Sequence, residues 1–171
     1  KGIGSELPLD LFMTKRGVQL KNWGRYLQPN YTGEVKLEYL PDDKEFGSSR
    51  SGVSWQHAQT FAPGFTGNVD YNRVSDDRYF TDLASQVRVV TIGNLQQDGY
   101  VTYSGSLGRY PYSAQARVQK FQTLQDPLAP IDPPYHRVPQ LTFASNLSNV
   151  AGLMDSTLPA ELVRFTHDVK V

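Results

Sequence analysis

Residues 34–39 alternate without a break: Val35, Leu37 and Tyr39 interleave with Glu34, Lys36 and Glu38. Successive side chains of an extended chain point to opposite sides, so this spelling gives a strand one apolar and one charged face. The pattern returns at residues 112–119, where Tyr112, Ala114, Ala116 and Val118 alternate with Ser113, Gln115, Arg117 and Gln119. Shorter versions occur at Val53 and Trp55, Val69 and Tyr71, Val101 and Tyr103, Leu141 and Phe143, and Val163 and Phe165. With opening segments at 7–14 and 18–27 they make about nine strand candidates, several near the ~9–11 residues a tilted membrane strand needs. The best short-helix candidate, residues 77–85, stands between strands.

The connections are patterned as well. Short turns rich in Gly, Pro and Asn fall at residues 28–31, 62–65 and 105–110, and longer, more charged links at 41–49, 75–84 and 125–137. In an antiparallel meander every second connection lies on the same side, so the links are expected on one rim and the turns on the other. Composition agrees: 14 Gly and 11 Pro with only 39% apolar residues suit many short strands better than helices around a large core. There is no cysteine, which excludes disulfides, thiolate metal sites and cysteine nucleophiles. Seventeen basic residues balance seventeen acidic ones without a block of like charge, so nucleic acid is not an expected partner. The longest apolar runs, such as residues 87–92 with Arg88 inside, fall far short of the ~20 residues of a membrane-spanning helix. Residues 1–6 carry no signal-peptide pattern, which suggests a mature chain, a fragment or an engineered chain.

Two all-β architectures fit. A sandwich hides its apolar face against a second sheet, whereas an up-and-down transmembrane barrel, or an open piece of one with about 8–10 strands, turns that face to lipid and the wet one to a lumen. The wet face carries Glu34, Lys36, Glu38, Gln115, Arg117 and Gln119. Aromatics near strand ends, Trp23, Tyr26, Tyr39, Tyr100 and Tyr103, are candidates for an interfacial girdle. Tyr is also simply a good strand residue, and pattern alone leaves both architectures open. No catalytic or metal site is expected: His57, His136 and His167 are scattered, no Ser sits in a nucleophile elbow, and Asp76-Asp77 lacks the ligand spacing of a calcium loop and reads as a structural turn. A barrel-embedded lipid hydrolase is the remaining enzymatic reading.

Seven stretches carry a resemblance: Met13-Thr14-Lys15-Arg16-Gly17, Arg25-Tyr26-Leu27, Leu37-Glu38-Tyr39-Leu40-Pro41-Asp42-Asp43-Lys44, Val69-Asp70-Tyr71-Asn72-Arg73-Val74-Ser75-Asp76-Asp77-Arg78-Tyr79-Phe80, Arg117-Val118-Gln119-Lys120-Phe121-Gln122-Thr123-Leu124-Gln125-Asp126, Pro134-Tyr135-His136-Arg137-Val138-Pro139-Gln140-Leu141 and Val163-Arg164-Phe165-Thr166-His167. In this order, from about residue 13 to 167, the chain resembles the lipopolysaccharide-assembly outer-membrane protein family LptD. The resemblance implies the N-terminal part of a very large barrel in the cell outer membrane of a Gram-negative bacterium. The whole of residues 1–171 is then one barrel segment without the family's jelly-roll domain. It implies lipopolysaccharide and outer-membrane lipids as partners, with a plug lipoprotein (LptE) and a periplasmic bridge protein (LptA), no cofactor and no enzymatic activity.

In that family sugars pass through the lumen while acyl chains leave through a seam between first and last strands. Pro8 matches one of the family's gate prolines and is the lateral-gate candidate, although an ordinary edge proline reads the same way. Lys36, Glu38, Arg73 and Arg117 are the candidates for contact with phosphorylated sugars; charges that pair with one another to fill a wet interior read the same way. The resemblance also puts the Lys15-Arg16-Gly17 turn and the 41–49 link on the periplasmic side, against the general rule of short periplasmic turns. There are departures. After Glu6-Leu7-Pro8 the chain runs through Leu9-Asp10-Leu11-Phe12 straight to Met13, where the family has an aromatic stretch and a second proline-bearing strand. Lys21-Asn22-Trp23-Gly24, Leu107-Gly108-Arg109-Tyr110 and residues 146–149 also differ from the family's turns. They point to an engineered small barrel or pore scaffold without transport activity as the alternative, beside a natural divergent fragment.

Overall fold

A computed structural model describes residues 4–6, 8–83, 85, 87, 93–150 and 154–167. Ten strands appear: β1 (Gly4–Glu6), β2 (Leu9–Thr14), β3 (Gly17–Leu27), β4 (Tyr31–Asp43), β5 (Ser48–Ala62), β6 (Phe65–Val74), β7 (Asn94–Leu107), β8 (Tyr110–Thr123), β9 (His136–Val150) and β10 (Met154–Thr166). A single helical turn, α1 (Tyr79–Asp82), lies inside the expected 77–85 helix. The apolar run at 87–92 is described only at Val87; Leu7 and Ala84 also lie outside the described residues.

All ten strands join one antiparallel sheet in sequence order, with β1 and β2 both on β3. Two residues on each side separate Glu6↔Arg25 from Leu9↔Asn22, so β1 and β2 are one edge strand in a single register, and the sheet has nine crossings. Among the described residues β10 pairs only with β9, and β1 and β2 only with β3, so the wall is open rather than closed on itself. The described strands form no second layer, which removes the sandwich. Links and turns segregate as expected: residues 15–16, 44–47, 75–83 and 124–135 share one rim, and residues 28–30, 63–64 and 108–109 the other. The 41–49 link is shorter than the sequence suggests because β4 runs on to Asp43 and β5 starts at Ser48.

Register turns the alternation into two faces. Val35, Trp55, Tyr71 and Leu37, Val53 line up across β4, β5 and β6, and Val101, Ala116 and Leu141 across β7, β8 and β9. This apolar face stays uncovered: Leu37 is 46% exposed, Val101 40% and Leu141 45%. Leu40, Val74, Tyr79, Leu83, Val87 and Leu95 form a buried apolar cluster at the long-link rim.

At the short-turn end of the apolar face, rings lie flat across glycines of the neighbouring strand. A Cβ on Gly33 would fall onto the Tyr26 hydroxyl and ring and 2.6 Å from the Gln56 carbonyl oxygen; one on Gly67 would lie 2.7 Å from the Phe61 ring, and one on Gly105 2.9 Å from the Tyr112 hydroxyl. The missing side chain is thus what lets an aromatic ring cover backbone. Gly33→Ala is expected to cost ~1–3 kcal/mol by overpacking. Gly99→Ala, whose Cβ would meet only the Asn68 carbonyl oxygen at 3.9 Å, should stay within ~0.5 kcal/mol. Denaturant midpoints of the two variants check the difference.

Candidate functional site

The polar face is built from the residues of β3 to β9 that alternate with the apolar set. Lys36 Nζ lies 2.7 Å from Glu34 Oε1, and Arg25 Nε 3.4 Å from Glu34 Oε2. Arg117 grips Asp98 with two bonds, Nε to Oδ1 at 2.7 Å and Nη2 to Oδ2 at 3.1 Å, the fork geometry that makes such pairs strong. Between them Ser54 donates to the buried Asn72, which donates in turn to Asp70 at 2.8 Å. Arg25, Glu34, Gln56, Asp70, Asp98 and Tyr100 line a polar trough of about 530 Å³.

Toward the long-link rim the trough is roofed over. Residues 75–83 fold back onto the polar face, and Arg50 of β5, with its side chain 0% exposed, holds them there. Its guanidinium donates to Asp76 Oδ1 at 2.7 Å and Oδ2 at 2.9 Å, to Asp82 Oδ2 at 3.1 Å and to Asp43 Oδ2 at 3.2 Å. Arg16 joins from the β2–β3 turn, 3.0 Å from Asp43 Oδ2. Gly52 leaves room beneath for Tyr79, since a Cβ there would lie 2.9 Å from the Tyr79 hydroxyl. Burial, with the Glu38 carboxylate beside it, pushes the Tyr79 phenol above its ordinary range; it therefore stays protonated and donates to Glu38 Oε2 at 2.9 Å.

Three of the four expected lumen charges, Lys36, Glu38 and Arg117, lie on the polar face, the first and last in ion pairs and Glu38 buried beneath Tyr79. Arg73 does not. It stands opposite Val53 and two residues beyond Tyr71, on the apolar face, as the odd numbering it shares with Val69 and Tyr71 already implied. The aromatics divide too. Tyr26, Tyr39 and Tyr103 are on the apolar face, whereas Trp23 stands opposite Lys36 and Tyr100 opposite Arg117, so these two leave the expected girdle for the polar side.

The rings actually gathered at the short-turn end of the apolar face are more numerous. The Tyr26 hydroxyl lies 2.8 Å from His57 Nδ1 and accepts from Trp55 Nε1 at 3.0 Å, with Tyr31 alongside. Phe61, Phe65, Tyr103, Tyr112 and Phe143 continue the row from β5 to β9. Parity alone would have found Phe61, Phe65, Tyr112 and Phe143. The Arg50 cluster had no such signal.

Pro8 sits in the interruption of the edge strand, opposite Trp23. Trp23 N donates to Pro8 O at 3.3 Å, and the reciprocal bond is lost because proline has no N–H. The absent donor therefore points at β3 and weakens the attachment of the edge strand to the wall. Pro8→Ala should restore a bond worth ~1 kcal/mol, seen as slower amide hydrogen exchange along β1 and β2.

Fold and site together define an antiparallel, up-and-down wall with one apolar and one ion-paired face, consistent with a β-barrel fragment. A family profile described as LptD, LPS transport system D, matches residues 48–171. The chain is 40% identical over 156 residues to the LPS-assembly protein LptD of Aromatoleum aromaticum, covering 91% of the chain and 19% of that protein. It is 40% identical over 157 residues to that of Azoarcus sp. strain BH72, with 91% and 19% covered, and 37% identical over 156 residues to that of Nitrosomonas eutropha, with 91% and 21% covered. The chain belongs to the LptD family, and it spans about a fifth of the length of these relatives.

Proposed function

We propose that residues 1–171 form one segment of the barrel wall through which lipopolysaccharide is inserted into the outer leaflet of the outer membrane of a Gram-negative bacterium, without enzymatic activity of their own. The carrying observation is a single sheet whose apolar face is uncovered over most of its described strands, from Leu37 to Val101 and Leu141, while its other face is hydrogen-bonded and ion-paired. In water such a face is a liability; against hydrocarbon it is the stable arrangement. The relatives' names supply the cargo. Lys36 and Arg117 are the cations on the polar side best placed to meet phosphorylated sugars, at the expense of their carboxylate partners. Pro8 loosens the edge strand against β3, which favours lateral opening beside it. A plug lipoprotein and a periplasmic bridge protein are the partners this reading requires.

The test is reconstitution. Diluted from urea into lipid vesicles, the chain should float with them in a density gradient and resist extraction by alkaline carbonate. Recovery as a soluble monomer in the absence of detergent would overturn the reading.

A further inference from the structure

The apolar face of β6 and β8 ends in two cations. Arg73 follows Tyr71 on that face, and Lys120 stands opposite Gln97, which itself stands opposite Tyr71. Two strand spacings of ~4.8 Å separate their strands. Both side chains are exposed and line one cleft of about 250 Å³ with Gln97 and Gln122. Among the described residues neither has an ion-pair partner. The neighbouring amides are engaged with backbone, Gln122 with Val74 and Gln97 with Asn72. Asp77, the acid in the cleft, forms no ion pair with either cation.

Cations that face hydrocarbon on one side and lack a protein anion need a counterion from the bilayer. We propose that Arg73 and Lys120 form a binding site for the phosphate of an anionic membrane lipid, on the outward face at the long-link rim. This rests on the reading that the apolar face meets lipid. The guanidinium offers a fork to two phosphate oxygens and the ammonium a third contact. The acyl chains then run down past Tyr71, Trp55 and Val118. The height agrees: from Arg73 to Phe65 in the aromatic row, β6 advances eight residues, about 27 Å along the strand at ~3.4 Å per residue. Tilted by ~45°, that spans about 19 Å, most of the ~25 Å apolar band of a membrane barrel.

The two tryptophans make the test direct, because Trp55 is on the apolar face beside Tyr71 and Trp23 on the polar one. In a Trp23→Phe background, vesicles doped with acyl-brominated phosphatidylcholine should quench Trp55. The same fraction of acyl-brominated phosphatidylglycerol should quench it more, reflecting about a five-fold local enrichment per cation. Arg73→Gln with Lys120→Gln should abolish the excess, and Arg73→Lys alone should keep it. Equal quenching by both lipids in the parent, or an excess untouched by the double substitution, would overturn the site and leave the lipid-facing wall standing. No quenching by either lipid would overturn the wall reading and the site with it.

Discussion

Arg50→Ala is expected to destabilise the folded chain by ~3–5 kcal/mol, the cost of removing one partner from a buried charge cluster. The side chain is fully enclosed, with Asp43, Asp76 and Asp82 around it and the rings of Phe46 and Tyr79 at 4.4 and 5.4 Å. Without it three carboxylates face one another with only rim cations in contact: Arg16, 3.0 Å from Asp43 and 3.9 Å from Asp82, and the exposed Arg78, 3.2 Å from Asp82. The loss should concentrate at the roof, because Asp76 and Asp82 belong to residues 75–83 while Asp43 ends β4. Urea unfolding gives the magnitude, and accelerated proteolytic cleavage within residues 75–83 gives the location. Arg50→Lys keeps the charge and loses the fork, so it should fall between the two.

Leu37→Arg separates a wall in lipid from a wall in water. Leu37 lies mid-strand on the apolar face, opposite Asn22 on one side and Val53 on the other, and half of its surface is open. Near the middle of a bilayer an arginine there should cost ~2–4 kcal/mol, whereas at an exposed position in water the change should stay within ~0.5 kcal/mol. Equilibrium unfolding from lipid vesicles measures it. A cost no larger than the aqueous figure would remove the lipid-facing role of this surface.

The strands were legible because their two faces are spelled two residues apart, and the local rule survives into the fold at Val35, Leu37 and Tyr39 and again from Tyr112 to Val118. The same rule, applied strictly, also places Arg73 with Tyr71. Grouping it with Lys36 weighed its charge above its position. Trp23 and Tyr100 share a ring type with Tyr26 and Tyr103 but not a strand face, since they stand opposite Lys36 and Arg117. The roof could not be read ahead of the structure. Arg50 meets Asp43, Asp76 and Asp82 at separations of 7, 26 and 32 residues, and no periodicity links them; only the return of residues 75–83 over β5 brings them together. Pro8 was visible as a gap in a ladder, but which neighbour loses the bond depends on register.

Nine is an odd number of crossings. Gly4 stands beside Leu27 at the short-turn rim, and Thr166 stands beside His136 at the opposite one. The first strand therefore starts on one side of the wall and the last stops on the other, and on the barrel-wall reading proposed above, tags placed beside Gly4 and Thr166 would report from separate aqueous compartments.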